Sequence, residues 1–236
     1  MEESVALDRK TGNMTHLSMS LDGLGYVYQI LGEWDKTEHY YKEALSNSQG
    51  LKDRPSIAMS NGYLGWLYYD KGEYAKAKEF FEKWYEVQEK AGARYSQMYS
   101  SRYIIFAYIE LGEIEKAKNL IDNLEKFALE IEDNFILANV DMARAQLLRA
   151  QKKWKESIEL FEKSRRAHEA LNTPRWNAYG FAKLVLYEYA RGYLERDQEG
   201  DREKAFNLLN QALELFQKLD AKKEIERIIA KKKLLT

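Results

Sequence analysis

Lys71-Gly-Glu-Tyr-Ala-Lys-Ala-Lys-Glu-Phe-Phe81 is a phrase that this chain repeats four more times in altered spelling. The other copies are Leu31-Gly-Glu-Trp-Asp-Lys-Thr-Glu-His-Tyr-Tyr41, Leu111-Gly-Glu-Ile-Glu-Lys-Ala-Lys-Asn-Leu-Ile121, Gln151-Lys-Lys-Trp-Lys-Glu-Ser-Ile-Glu-Leu-Phe161 and Glu199-Gly-Asp-Arg-Glu-Lys-Ala-Phe-Asn-Leu-Leu209. A glycine after a helical run can take the left-handed conformation that ends a helix. The acidic residue that follows suits the positive end of a new helix, and the large apolar residue after it opens a buried face. Each phrase therefore reads as helix, tight turn, helix. Trp34, Tyr74, Ile114 and Trp154 follow one another at a constant interval of 40, so the chain is a repeat array. Only the last copy departs, with Gly200 lying eight positions beyond the place this interval assigns to it.

Outward from the turns, apolar residues recur at three- and four-residue steps. Leu17, Leu21, Leu24, Val27, Tyr28 and Leu31 make such a stripe before the first turn. The expectation is five antiparallel helix pairs turning at Gly32, Gly72, Gly112, Lys152 and Gly200. A helix over residues 2–10 reads as the second half of a repeat whose first half is missing. A final helix from Ala221 to about Leu235 has Ile225, Ile228 and Ile229 on one face and lysines elsewhere, as a cap should. The units fall at about 1–13 (partial), 14–51, 52–92, 93–132, 133–172, 173–219 and 220–236. Pro174 is expected to open a longer fifth pair that carries an inserted loop. If Lys152 keeps the left-handed conformation, it costs about 1 kcal/mol relative to glycine.

Composition narrows the function. With 45% hydrophobic and 32% charged residues, the 236-residue chain has enough apolar surface for a core, and its periodicity excludes disorder. A formal net charge of −1 lacks the basic footprint of a general nucleic-acid binder. The absence of cysteine excludes disulfides, thiolate metal sites and a cysteine nucleophile, and fits a cytoplasmic address. No run approaches the ~18 apolar residues of a membrane span, and the first ten residues have neither an apolar core nor a basic leader. His16, His39 and His168 lie in different repeats, with no metal-ligand spacing between them. Gly23-x-Gly25 and Gly62-Tyr-Leu-Gly65 lie within helical stripes with no strand before them, so close helix packing accounts for them better than a phosphate loop. With no nucleophile, metal set or phosphate loop in view, the chain reads as a non-enzymatic protein without a cofactor.

Leu64, Gly65, Tyr68, Gly72, Tyr74, Ala77 and Phe81 carry a resemblance to the tetratricopeptide repeat family, and it extends over nearly the whole chain. The familiar repeat is about 34 residues long. The longer period here is similar to that of the repeat arms of signalling and regulatory proteins. The resemblance implies an all-α, right-handed superhelix in a single domain, with the first helix of each pair lining a concave, partner-binding groove. Chaperone-tail binding members of the family hold a terminal carboxylate with lysines, asparagines and arginine. The corresponding positions here are Asp22, Tyr26, Tyr63, Tyr99 and Tyr103, so that mode is rejected.

Tyr28, Tyr68 and Tyr108, one repeat apart, are the packing tyrosines of this pattern, with Tyr41, Phe81 and Phe161 beside them. Tyr26, Trp66 and Phe106, two residues earlier, point about 200° round a helix turning ~100° per residue. They map to the groove, with Gln146 next in register and Tyr63, Tyr69, Tyr99, Arg102 and Arg149 nearby. An aromatic ladder of this kind suits capture of a peptide or helix; packing between superhelical turns is the competing reading. Trp66 is expected to be the main anchor, and its loss to leave the melting temperature nearly intact. The function expected is therefore a protein-interaction scaffold, the docking or sensory part of a signalling protein. The alternative is a structural or oligomerisation arm, with homodimers formed through the terminal helices.

Overall fold

The structure is a computed structural model that describes residues 1–171 and 178–233. Pro174 and the expected end of the last helix near Leu235 lie outside the described residues. Among the described residues the fold is all-α, with helices in sequential antiparallel pairs like those of tetratricopeptide repeats. The helices are α1 (Glu2–Thr11), α2 (Met14–Leu31), α3 (Trp34–Leu51), α4 (Arg54–Asp70), α5 (Tyr74–Lys90), α6 (Arg94–Glu110), α7 (Ile114–Glu130), α8 (Asn134–Ala150) and α9 (Trp154–Ala170). Of the fifth pair the described residues form α10 (Ala178–Gly180), a π-helical stretch (Phe181–Tyr187), α11 (Glu188–Arg196) and α12 (Asp201–Lys218), followed by α13 (Lys222–Lys233). The chain divides into two compact units, unit 1 (Met1–Leu111) and unit 2 (Gly112–Thr236).

The turn has a shorter period than the phrase. Left-handed residues stand at Gly12, Gly32, Lys52, Gly72, Gly92, Gly112, Glu132 and Lys152, that is, twice in every repeat and evenly spaced. After each of seven of them, the next amide reaches back to the carbonyl five residues earlier. These bonds are Asn13 to Asp8, Glu33 to Tyr28, Asp53 to Ser48, Glu73 to Tyr68, Ala93 to Gln88, Asp133 to Ala128 and Lys153 to Leu148, at 2.8–3.1 Å. This is the Schellman closure, which satisfies carbonyls that a helix end would otherwise leave unpaired. Because the residue that closes one helix also caps the next, two or three residues suffice for the turn. Helices α2 to α9 are therefore nearly equal in length, one to each half-repeat.

Within unit 1 the opening helices carry glycine where a partner ring presses on them. A Cβ at Gly65 would lie 2.4 Å from the Phe81 ring, and one at Gly25 would lie 2.6 Å from Tyr41. Both rings are almost fully buried. The packing tyrosines also perform a repeated task between pairs. Tyr28 stacks on Tyr40 at 5.5 Å and Tyr68 on Phe80 at 5.4 Å. Their hydroxyls, and that of Tyr108, donate to Glu2, Glu38 and Glu82 on the preceding second helix at 2.5, 2.8 and 2.9 Å. α1 supplies the first of these carboxylates, as α3 and α5 supply the other two. It packs on α2 through Val5, Leu17 and Leu21.

Unit 2 keeps the same layout until the fifth pair. Extra residues are taken up by the π-helical turn and by a wider connection with Asp197 and Gly200 both left-handed. There Asp201, fully buried, accepts from the Arg196 guanidinium and from the Gln198 amide at 2.9 Å, so side chains close a turn the Schellman bonds no longer close.

Candidate partner-binding face

In unit 1, α2, α4 and α6 set one row of rings against the next. Tyr26 meets Tyr63 at 6.3 Å between centroids, Trp66 meets Tyr103 at 4.7 Å and Tyr69 meets Phe106 at 6.5 Å. All three pairs share one sequence offset, three positions short of a full repeat, at which one opening helix touches the next. The ladder is thus a seam between repeats as well as a face. Tyr26, Tyr63, Trp66 and Tyr99 remain half-buried, whereas Tyr69 is buried and Phe106 is only 1% exposed. Phe106 therefore belongs to the packing between α4 and α6. Trp66 also has a packing role, since its ring meets Phe81 edge-on at 6.3 Å. The expectation that Trp66→Ala spares the melting temperature is corrected accordingly, because part of the core would lose its neighbour.

Arg102 does not reach outward as a long cation usually does. Its guanidinium lies 3.8 Å from the Tyr99 ring centroid and 4.4 Å from that of Tyr103, and it donates to the Tyr103 hydroxyl. Cation–π contact explains how a charged head can be buried there. Behind the rings runs a polar chain: the Tyr41 hydroxyl donates to Gln29 at 2.8 Å, and the Gln29 amide donates to Asp70 at 2.8 Å, tying α3, α2 and α4 together. Asp22, on the same side of α2 as Tyr26, accepts from the Ser60 hydroxyl at 2.9 Å. Burial raises its carboxyl to about 7, opposed by that hydrogen bond. Burial also pushes Tyr63 up to about 12, with Asp22 adding to the shift, so the phenol is a neutral donor at ordinary pH.

The two remaining ladder residues lie in unit 2 and do not share this setting. Gln146 is fully buried and donates to the Leu184 carbonyl of the π-helical turn at 3.4 Å. Arg149, also buried, pairs with Glu195 at 2.7 Å and with Glu188 at 3.4 Å. Both join the opening helices of the fourth and fifth pairs. Sequence reasoning placed them by register alone. It passed over Gln29, Ser60 and Asp70, whose only signal was a polar residue inside an apolar stripe.

Asp8, His16 and Ser20 also meet, and their geometry is that of a clasp. His16 Nδ1 lies 2.8 Å from Asp8, and Ser20 Oγ donates to Asp8 at 2.6 Å instead of to the ring. The hydroxyl proton thus points at the carboxylate and not at the imidazole. The group holds α1 to α2. Among the described residues, no cluster of three His, Cys, Asp or Glu side chains could hold a metal ion, and no helix is long and apolar enough to cross a membrane.

Comparison with known proteins accords with this architecture. The tetratricopeptide repeat family model matches residues 16–90. Over those residues the chain is similar to tetratricopeptide repeats. Among solved structures, BtubC (BKLC) from P. vanneervenii superposes with a TM-score of 0.64 at 17% identity, covering 93% of this chain and 89% of that one. Nearly identical TPR-like repeats assigned to a kinesin light chain of Podosopora anserina superpose at 0.54 and 21% identity, covering 85% of this chain and 95% of theirs. A form of those repeats with one glutamine replaced by methionine gives 0.55 at 20% identity, with coverage of 85% and 94%. These likenesses concern the fold. No curated protein matches the sequence. TPR scaffolds are typically non-catalytic and usually bind protein partners.

Proposed function

We propose that unit 1 captures a peptide or helix of a protein partner on the face formed by α2, α4 and α6, as the docking part of a signalling or regulatory protein in the cytoplasm. The observation that carries this reading is that Tyr26, Tyr63, Trp66 and Tyr99 are only half-buried although each lies on a helix that also builds the core. Rigid rings held by their neighbours give contact area with little entropy loss on binding. Gln146 and Arg149 take no part in this reading, since their side chains are engaged within unit 2. A photo-crosslinking residue placed at position 26 or 99 should trap one reproducible partner segment from the native cell. The same residue at position 79, on the outer face of α5, should trap none; equal yields from all three positions would dismiss the face.

A second reading, a structural or self-assembling arm, is favoured by one feature: Leu7 and Met19, on the paired helices α1 and α2 that begin unit 1, are 59% and 62% exposed. Light scattering over a concentration series should then show dimers that Leu7→Glu abolishes, and a strict monomer would exclude it.

A further inference from the structure

Asp22 is 4% exposed, and its Oδ1 has no hydrogen-bond partner. Its single bond is from the neutral Ser60 hydroxyl, and among the described residues no lysine, arginine or histidine forms an ion pair with it. The groups around it are neutral or acidic. Tyr26 stands one turn along α2, Tyr41 faces it from α3, and Tyr63 lies one turn from Ser60 on α4, with Asp70 held nearby through Gln29. Arg102 is one helix further away, on α6, and engaged with Tyr99 and Tyr103.

An ionised carboxylate buried without a cation is strongly disfavoured. It escapes that cost either by taking a proton or by receiving a cation from outside. The surroundings suit the second outcome, because tyrosine faces attract ammonium and guanidinium groups, and Tyr26 and Tyr63 flank the carboxylate where the face is half-open. We propose that the α2–α4 part of this face seats a lysine or arginine side chain of the partner segment, its charged head on Asp22 Oδ1 and its stem along Tyr26 and Tyr63. This rests on the reading of unit 1 as a partner-binding face and specifies the chemistry of the partner. Since Oδ1 is covered in the free protein, entry requires a flanking ring to swing aside, and half-exposed Tyr26 is the ring placed to do so. The polarity is opposite to that of a site for a chain-terminal carboxylate. With the free-protein pKa raised to about 7, seating a cation at lower pH must also release a proton.

The test uses two probes, N-acetyl-tryptophanyl-lysine amide and N-acetyl-tryptophanyl-norleucine amide, titrated into the full chain at pH 8 and followed by the tyrosine ring resonances. The lysine probe should bind at least about tenfold tighter than its uncharged isostere. Asp22→Asn should erase that advantage while leaving the norleucine affinity unchanged, and its melting temperature at pH 8 should hold or rise. The lysine advantage should also shrink about tenfold per pH unit below about 7. Equal binding of both probes would overturn the cation seat and leave the face standing; no binding by either would overturn both. A large fall in melting temperature for Asp22→Asn would overturn the seat by showing that Asp22 is a structural partner.

Discussion

Gly65 in unit 1 and Gly192 in unit 2 both sit on opening helices against a buried phenylalanine, yet the two sites differ by more than an ångström. A Cβ at Gly65 would lie 2.4 Å from Phe81; one at Gly192 would lie 3.6 Å from Phe161, an ordinary contact. The same contrast runs through both units. Among the described residues, unit 1 takes its left-handed turns at Gly12, Gly32, Gly72 and Gly92, with Lys52 as the exception, and lines its opening helices with rings. Unit 2 uses Glu132, Lys152, Asp197 and Asp220 as well as Gly112 and Gly200. It ties its last helices with buried ion pairs, among them Lys183 to Glu224 at 3.0 Å. The lesson is that the repeat specifies where helices stop and pair, while the inner surface of each unit is free to be aromatic or ionic.

The largest effect should come from the shared core. Phe81→Ala and Phe161→Ala should each cost about 3–5 kcal/mol in denaturant unfolding. Hydrogen exchange should show the loss concentrated in the unit that carries the substitution. Uniform loss of protection over all helices would mean that the two units open as one.

Next come the buried charges, which should respond in opposite directions. Glu224→Gln leaves Lys183 buried beside a neutral amide and should cost about 3 kcal/mol at neutral pH. Burial alone would raise the Glu224 carboxyl, but Lys183 and Arg227 outweigh it and hold it low. Its contribution is therefore present above the ordinary carboxylate range and disappears as pH falls through the lowered value. Asp22 has the reverse sign. With its folded value raised to about 7, the folded chain binds more protons than the unfolded one, so this contribution falls as pH rises from about 4 to about 7. The stability difference between wild type and Asp22→Asn should trace that fall, and a flat difference would remove Asp22 from the comparison.

The glycine contrast should appear at a smaller scale. Gly65→Ala forces Phe81 to move and should cost about 1–3 kcal/mol, whereas Gly192→Ala should be neutral or stabilise by up to about 1 kcal/mol through helix propensity. Smallest is the turn itself. Lys152, at φ 59°, should gain about 1 kcal/mol or less on Lys152→Gly, a shift of a few degrees in melting temperature.

Much of this was legible in the order of residues alone. The repeat interval, the turn residues Gly32, Gly72 and Gly112 and the packing roles of Tyr28, Tyr68 and Tyr108 all follow from local rules for helix ends and amphipathic faces. The left-handed residues at Lys52 and Glu132 were not legible, because neither residue type signals a turn, and the half-period was hidden with them. The π-helical turn at Phe181–Tyr187 likewise left no local mark.

The sequence by itself determined which side of each helix is apolar, since that depends only on the spacing of residues along one helix. It could not determine whether the second apolar side, carrying Tyr26, Trp66 and Phe106, opens to a partner or closes on the next repeat. Tertiary structure decided that by the offset at which consecutive opening helices meet, which buries Phe106 and leaves Tyr26 and Trp66 half-open. Charge pairing was undetermined for the same reason. Arg149 finds Glu195 and Lys183 finds Glu224 a full repeat or more along the chain, while Asp22 finds no such partner. Such pairings depend on the distance between helices in space, and residue spacing within one helix carries no record of it.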